Sequence, residues 1–332
     1  MIYVTPFFQP LYPDAIHVNH SDLLDIRSAN LVAIDFYDNS FNQDSDIINH
    51  LLSNTKELHI YLGEPTNFEY KFIKFLNKFD LPNVYFYSDC VLNFTLSHAT
   101  FTPTINWFID PINYYTRYQW AKNLLEKLNF TPDKPYRFDI LLGQTKPHRD
   151  KLNDLVKSSH VKNMCIYSYF KNSISDGVYW DSNINTNQHT LTSEIFQING
   201  EDARPSALLP IEIYNQSYYS VVCETTSFNS YNQYTEKVAK PILAKRPFIV
   251  FAGQYYVKNL KSLGFKTFDS IIDESYDLES NMSIRFKLAW QQVEWLCHQN
   301  PTHILNQLES ILIHNQQHFL NTDWALPVKH LF

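Results

Sequence analysis

Three stretches of the chain set charged and polar residues directly behind an apolar run, where a strand would hand over to a helix. The first is Gly143-Gln144-Thr145-Lys146-Pro147-His148-Arg149, which follows the apolar run 137–142. The open N–H groups of a helix start attract anions, and Lys146 and Arg149 add positive charge there. Taken alone, the stretch also reads as a solvated turn with an ordinary helix start. In the second, the run Val221-Val222-Cys223 ends in Glu224, a polar loop from Thr225 to Tyr234 follows, and a helix opens at Thr235-Glu236-Lys237. Thr235 suits an N-cap, and Glu236 is the acidic first-turn residue that the helix dipole favours. Lys237 opposes that dipole and needs another reason, which a bound diphosphate would supply. A capped helix with a solvated Glu-Lys pair explains the spacing equally well. The third stretch is Ala252-Gly253-Gln254-Tyr255, after 247–251. Gly253 there serves a left-handed turn, the preferred reading, or lets the backbone approach a ligand closely.

Short apolar runs alternate with longer amphipathic stretches, which is the signature of βα units and a mostly parallel sheet. Strands are expected at 31–36, 57–62 and 83–87, with helices at 45–53, 67–79 and 112–128. The segment 131–135 carries two prolines in five residues; it stops a helix and reads as a linker. A second series then begins, with strands at 137–142, 163–167, 217–224 and 247–251. Its helices fall at 148–158, 235–245, 255–263, 280–298 and 302–319, and Gly264 is the expected C-cap of the third. The polar stretch 173–205 reads as a long loop. Ligands of such open α/β sheets bind at the carboxyl ends of the strands, which is where the three stretches fall.

The chain has 332 residues, 44% hydrophobic, 18% charged and 16% aromatic, with only 6 glycines. This composition supports a substantial core, excludes linker-like or collagen-like chains, and leaves little for a glycine-rich phosphate loop. A net charge of −7 disfavours binding that depends on nucleic-acid phosphates. No 18-residue apolar run would cross a membrane, and no basic region leads into an apolar run at Met1, so no signal peptide is expected. The four widely spaced cysteines read as reduced thiols. The expected location is the cytoplasm, including its membrane face as a peripheral protein.

The run Cys223-Glu224-Thr225-Thr226, then Tyr234-Thr235-Glu236-Lys237-Val238, then Pro241 through Lys245-Arg246-Pro247 to Phe251-Ala252-Gly253 resembles the donor-binding motif of α1,3-fucosyltransferases. That motif has a strand ending Phe-Glu-Asn-Ser, then Tyr-x-Thr-Glu-Lys, a helix, a short basic turn, proline, and an apolar strand ending at glycine. The likeness extends over about 138–277, is strongest at 221–253, and is shared with glycosyltransferase-like proteins of bacteria and phages. It implies a GT-B fold of two Rossmann-like domains facing a cleft: an acceptor-binding domain at 1–131, a nucleotide-sugar-binding domain at 135–305, and a helix and tail at 306–332 that could pack back on the first. Carried over residue by residue, Glu236 would bond the donor ribose hydroxyls and Lys237 the diphosphate. Arg149 would be a second phosphate ligand, and Tyr234 and Glu224 would line the donor pocket with Lys146, Thr225, Thr235 and Gly253. Thr225-Thr226 replace the family's Asn-Ser, so the resemblance transfers a nucleotide-diphosphate sugar more firmly than GDP-fucose.

The implied enzyme moves a sugar to a glycan or lipid-linked glycan hydroxyl during surface polysaccharide or lipopolysaccharide assembly, with inversion. No cofactor beyond the donor and no metal are expected. The only Asp-x-Asp run, Asp44-Ser45-Asp46, opens a helix, where acids act as caps. The general base would be a first-domain carboxylate. Asp35, Asp38, Asp89 and Asp110 are the candidates, and Asp35 has the most apolar surroundings; each could instead cap a turn. Tyr114, Tyr115, Tyr118 and Trp120 could stack on a sugar or fill the core. The pair His314 and His318 reads as part of a surface helix, not as a metal site. Two alternatives stand beside this reading: a phage-type transferase acting on modified DNA bases, and a sugar-nucleotide-binding module without turnover.

Overall fold

The computed structural model describes the chain except residues 6–7, 9–11, 13, 37–44, 64–68, 105–110, 113–114, 130–132, 144, 170–195, 199–200, 204–207 and 325–332. It divides into two compact units, 1–106 with 323–332, and 107–322. Among the expectations, Asp38, Asp44 and Asp110, residue Tyr114, the side chain of Trp120, residues 131–132 of the linker and the tail 325–332 lie outside the described residues.

The first unit holds β1 (Ile2–Val4), β2 (Ile16–His17), β3 (Ala29–Phe36), α1 (Ser45–Asn54), β4 (Thr55–Leu62), α2 (Glu69–Lys78), β5 (Val84–Ser88) and β6 (Thr100–Pro103). Six of its strands form one parallel sheet in the order β2-β1-β3-β4-β5-β6. Alternation along each strand splits the sheet into two unlike faces. Val32, Ile34 and Phe36 pair with Leu58, Ile60 and Leu62, and Leu58 and Ile60 with Val84 and Phe86, an apolar face. Phe75 of α2 meets Phe86 there at 6.1 Å between ring centroids. On the opposite face Ala33, His59 and Tyr85 form one row and Asp35, Tyr61 and Tyr87 the next. Val4, Phe8 and Tyr12 cover this second face and form a buried cluster with Ala33, Tyr61 and Tyr87. The strands β1, β2 and β6 were not expected from the sequence; they are too short, at two to four residues, to show a period.

The second unit contains α3 (Gln119–Leu125), β7 (Tyr136–Leu142), α4 (Pro147–Ser158), β8 (Cys165–Tyr169), β9 (Phe196–Ile198), β10 (Glu201–Ala203), α5 (Ile211–Gln216), β11 (Ser217–Cys223), α6 (Glu236–Leu243), β12 (Phe248–Phe251), α7 (Tyr256–Ser262), α8 (Met282–Cys297) and α9 (Pro301–Asn321). Four strands run parallel in the order β12-β11-β7-β8. The stretch 173–205, expected as a loop, includes the antiparallel hairpin β9-β10. The helix expected at 112–128 was placed in a first domain ending at 131; residues 107–322 form the second unit. Tyr115 accepts the Leu209 N–H at 2.8 Å, Asn129 donates its N–H to Asn215 at 2.6 Å, and Lys134 donates to the Tyr214 carbonyl at 2.7 Å. The expected boundary at 305/306 falls inside α9, a continuous helix whose Gln316 bonds the Leu243 carbonyl at 2.6 Å.

An ion pair sits in the core of this sheet. Arg246, in the turn before β12, lies 3.6 Å from Asp139 of β7 and donates to Ser220, to both the carbonyl and hydroxyl of Ser217, and to the carbonyls of Tyr214 and Tyr219. Its guanidinium also covers the Tyr214 ring at 4.2 Å. Burial pushes the Asp139 carboxyl up to about 6, against the pull of Arg246. Together these parallel sheets define an α/β protein in keeping with a Rossmann-like fold.

Candidate functional site

Three of the expected donor-site segments meet at the carboxyl end of β11. Cys223 ends the strand and Glu224 follows it, fully buried. Four protein donors surround the Glu224 carboxylate. One oxygen accepts the Thr235 N–H at 3.2 Å and the Tyr256 hydroxyl at 2.7 Å; the other accepts the Thr225 N–H at 3.1 Å and the Thr235 hydroxyl at 2.7 Å. Burial raises its pKa, with Lys237, Thr235 and Tyr256 acting in the opposite sense. Glu224, expected to line the donor pocket, has its acceptor positions occupied within the protein and anchors the start of α6. Tyr234, expected beside it in the donor pocket, is fully buried and donates its hydroxyl to the Tyr256 carbonyl at 2.7 Å.

Thr235 is the N-cap expected from the sequence. Its hydroxyl accepts the Lys237 N–H at 3.3 Å while donating to Glu224, so the cap is tied to the strand end. Lys237 Nζ then lies 2.7 Å from Glu236, 3.2 Å from the Thr225 hydroxyl and 3.4 Å from that of Thr235. Burial works to raise the Glu236 pKa, but Lys237 and Lys240 hold it below the usual carboxylate range. Lys146, the residue before α4, donates to the Thr225 carbonyl at 3.0 Å. Thr225 is therefore where two lysines converge, one on its carbonyl and one on its hydroxyl.

Arg149 is buried in the first turn of α4. A Cβ added to Gly143 would stand 3.4 Å from its guanidinium, so the glycine at the end of β7 borders the arginine. His148 beside it donates its Nε2–H to the Glu224 carbonyl at 3.0 Å. Burial chiefly, with Arg149, Lys146 and Lys237 adding to it, pushes the His148 pKa down to about 4. The Cys223 thiol is raised by burial to about 12, while Arg149 and Lys237 pull it down. All three cations thus act on the same strand end, and His148 stays neutral among them.

The loops around this point are pinned from below by Arg285 of α8. It donates to the carbonyls of Ala252 at 3.0 Å, Ser280 at 3.2 Å and Ser227 at 3.4 Å, and to that of Glu279. Gly253 does not take the left-handed turn expected of it; Tyr255 does, with φ 64°. Gly253 is required for close packing instead, since a Cβ there would lie 1.8 Å from the Phe228 carbonyl oxygen. Gly264, at φ 94°, ends α7 as expected, and His318 and His314 bond the Leu263 and Gly264 carbonyls at 2.8 and 3.2 Å.

Sequence reasoning missed Arg285, Tyr256 and His148. Arg285 had a signal, because it falls on the buried stripe of α8 with Phe286, Ala289, Trp290 and Val293. A cation on an apolar stripe has to find acceptors below the surface.

In the first unit, Asp35 at the end of β3 is buried. It accepts the Thr5 hydroxyl, and its backbone N–H donates back to Thr5 at 3.1 Å. The half-exposed His20 faces the carboxylate at 3.9 Å. Asp89 is held on both oxygens, by Tyr61 at 2.9 Å and Thr104 at 2.7 Å. Of these two carboxylates, only Asp35 lies behind a histidine that reaches solvent. Tyr115 belongs to the core.

Among the described residues no three His, Cys, Asp or Glu side chains gather to hold a metal, and no helix is long and apolar enough to cross a membrane. Compared with models of protein families and with curated proteins, the chain matches none. Fold and site together define an α/β protein of parallel sheets with a cationic, preorganised strand end.

Proposed function

We propose that the β11 strand end binds the diphosphate of a nucleotide sugar and that the chain is a glycosyltransferase of GT-B type. The convergence of Lys146 and Lys237 on Thr225, beside buried Arg149, is the observation that carries this reading. Lys237 and Arg149 hold the phosphates and Glu236 the ribose hydroxyls, as the resemblance to α1,3-fucosyltransferases implies. Glu224, Tyr234 and Gly253 keep the cap and loops in place. In the transfer, a base removes the proton of a glycan hydroxyl, that oxygen bonds the anomeric carbon with inversion, and the bond to the diphosphate breaks. Negative charge then grows on the leaving oxygen, where fixed cations and a helix start stabilise it without reorganising. Asp35, 3.9 Å from His20, is the base we assign. A GDP-fucose-like donor is the first candidate, with the acceptor a glycan or lipid-linked glycan of a bacterial surface polysaccharide or lipopolysaccharide.

A thermal-shift panel of GDP, UDP, CDP and ADP sugars tests this. A donor present at a hundred times its dissociation constant stabilises the chain by about 2.7 kcal/mol. Lys237→Ala should fold normally, lose that stabilisation and cut turnover by about 10²–10³. Wild-type shift and turnover in this variant, or no response to any member of the panel, would overturn the proposal.

A further inference from the structure

A second cluster of chemically capable side chains lies at the other end of α4, where that helix and α8 finish side by side. α4 stops at Ser158 with Ser159 as its C-cap, and His160 follows directly; α8 stops at Cys297 with His298 as its C-cap. Both imidazoles are exposed. Their Nε2 atoms face each other at 3.3 Å, with ring planes only 11° apart and centroids at 5.5 Å. We propose that His160 and His298 form a binding site for a first-row divalent transition-metal ion.

Three features support it. Two nitrogens bound tetrahedrally to one ion at about 2.0–2.1 Å stand roughly 3.3 Å apart, which is the separation already present. Both rings project from helix C-termini, where the aligned peptide dipoles favour positive charge. Glu294 backs the pair: its Oε1 lies 3.8 Å from His160 Nδ1 and is fixed by Ser159 at 2.6 Å and Trp290 at 3.0 Å. A carboxylate behind a ligating imidazole favours the Nδ1–H tautomer and leaves Nε2 free to bind. In the ion-free pair His160 Nε2 is then the acceptor and His298 donates its Nε2–H. Metal binding shifts that one proton to His298 Nδ1, so both Nε2 lone pairs reach the ion and no proton is lost overall. Water completes the coordination, giving an exchangeable site.

The donor set also fixes the class of ion. Imidazole nitrogens suit copper, nickel and zinc, and affinity should follow the order manganese, cobalt, nickel, copper, with magnesium and calcium not competing. The full chain is titrated with Zn²⁺, Ni²⁺ and Cu²⁺ against a chelating dye. One site should appear. His160→Ala and His298→Ala should each weaken it by about tenfold or more, and Glu294→Gln by about tenfold. His314→Ala, in the other histidine pair, should leave it unchanged. Retention of the site in both His160→Ala and His298→Ala, loss of it in His314→Ala, or no binding to the wild-type chain would each overturn the proposal.

Discussion

The two sheets are both parallel, yet they bury different chemistry. In the second unit the buried polar groups include full charges: Arg246 with Asp139, Arg285 on backbone carbonyls, Glu224 among four donors, and Arg149 beside Gly143. In the first unit the buried polar groups are hydroxyls, the His59 imidazole and two carboxylates, with no buried cation among the described residues: His59 is bonded to Tyr87 at 2.8 Å, Tyr61 to Asp89, and Asp35 to Thr5. Buried charge is costly unless fully hydrogen-bonded. A unit that sustains several such groups therefore has its loops and helix starts fixed in advance, which suits recognition of an anion. The first unit buries its carboxylates against hydroxyls alone, with no guanidinium or ammonium among its described buried groups. The division of labour proposed above follows this contrast.

The largest test of the contrast is Arg246→Met. Removing one partner of a buried pair leaves the other uncompensated, at a cost of about 3–5 kcal/mol. Denaturant unfolding at pH 8 should show that loss, with faster hydrogen exchange confined to the second unit. The penalty should shrink towards pH 5. Asp139, already raised to about 6 when folded against 3.8 in the free side chain, then takes up a proton and no longer needs the cation. A loss under 1 kcal/mol would show that the charges of the second sheet are not what fixes it.

In the first unit the corresponding test is a pH slope. Burial lowers the His59 pKa from 6.5 to about 4, against the opposing pull of Glu57. Between those values the unfolded chain binds more protons, so stability is full above pH 6.5, falls as the pH drops towards 4, and levels off below. His59→Gln should flatten the part of this slope read from amides of the first unit, an effect on the order of 2–3 kcal/mol. An unchanged profile would mean that His59 does not stay neutral on that face.

The smallest effect is expected from Thr235→Ala. Loss of the cap should cost about 1–2 kcal/mol and remove one of the two donors on one Glu224 oxygen, leaving the Thr225 N–H. Donor affinity should fall along with stability, because the same hydroxyl lies 3.4 Å from Lys237 Nζ. A stability loss with unaltered nucleotide-sugar binding would separate the cap from the site.

Much of the parallel architecture was legible in the chain. Apolar runs marked β3, β4, β5, β7, β8, β11 and β12, and Thr235 and Gly264 marked a helix start and a helix end, because these features depend on local periodicity and backbone sterics. The strands β1, β2 and β6 were not, being too short for a period. Gly253 was legible as a special position, but not for its reason. Its need comes from the Phe228 carbonyl, a neighbour 25 residues away in sequence that no local rule names.

Sequence alone determined which residues could make a charged strand end: Lys146, Arg149, Glu236 and Lys237 stand where apolar runs stop. Only the tertiary structure decided that Glu224 and Tyr234 turn inward, that Thr225 receives both lysines, and that Arg285 ties the surrounding loops. The physical reason is that a carboxylate, a phenol or a guanidinium acts according to who occupies its hydrogen-bonding positions. Many of those partners lie on other strands, loops and helices, and folding alone brings them within hydrogen-bonding distance.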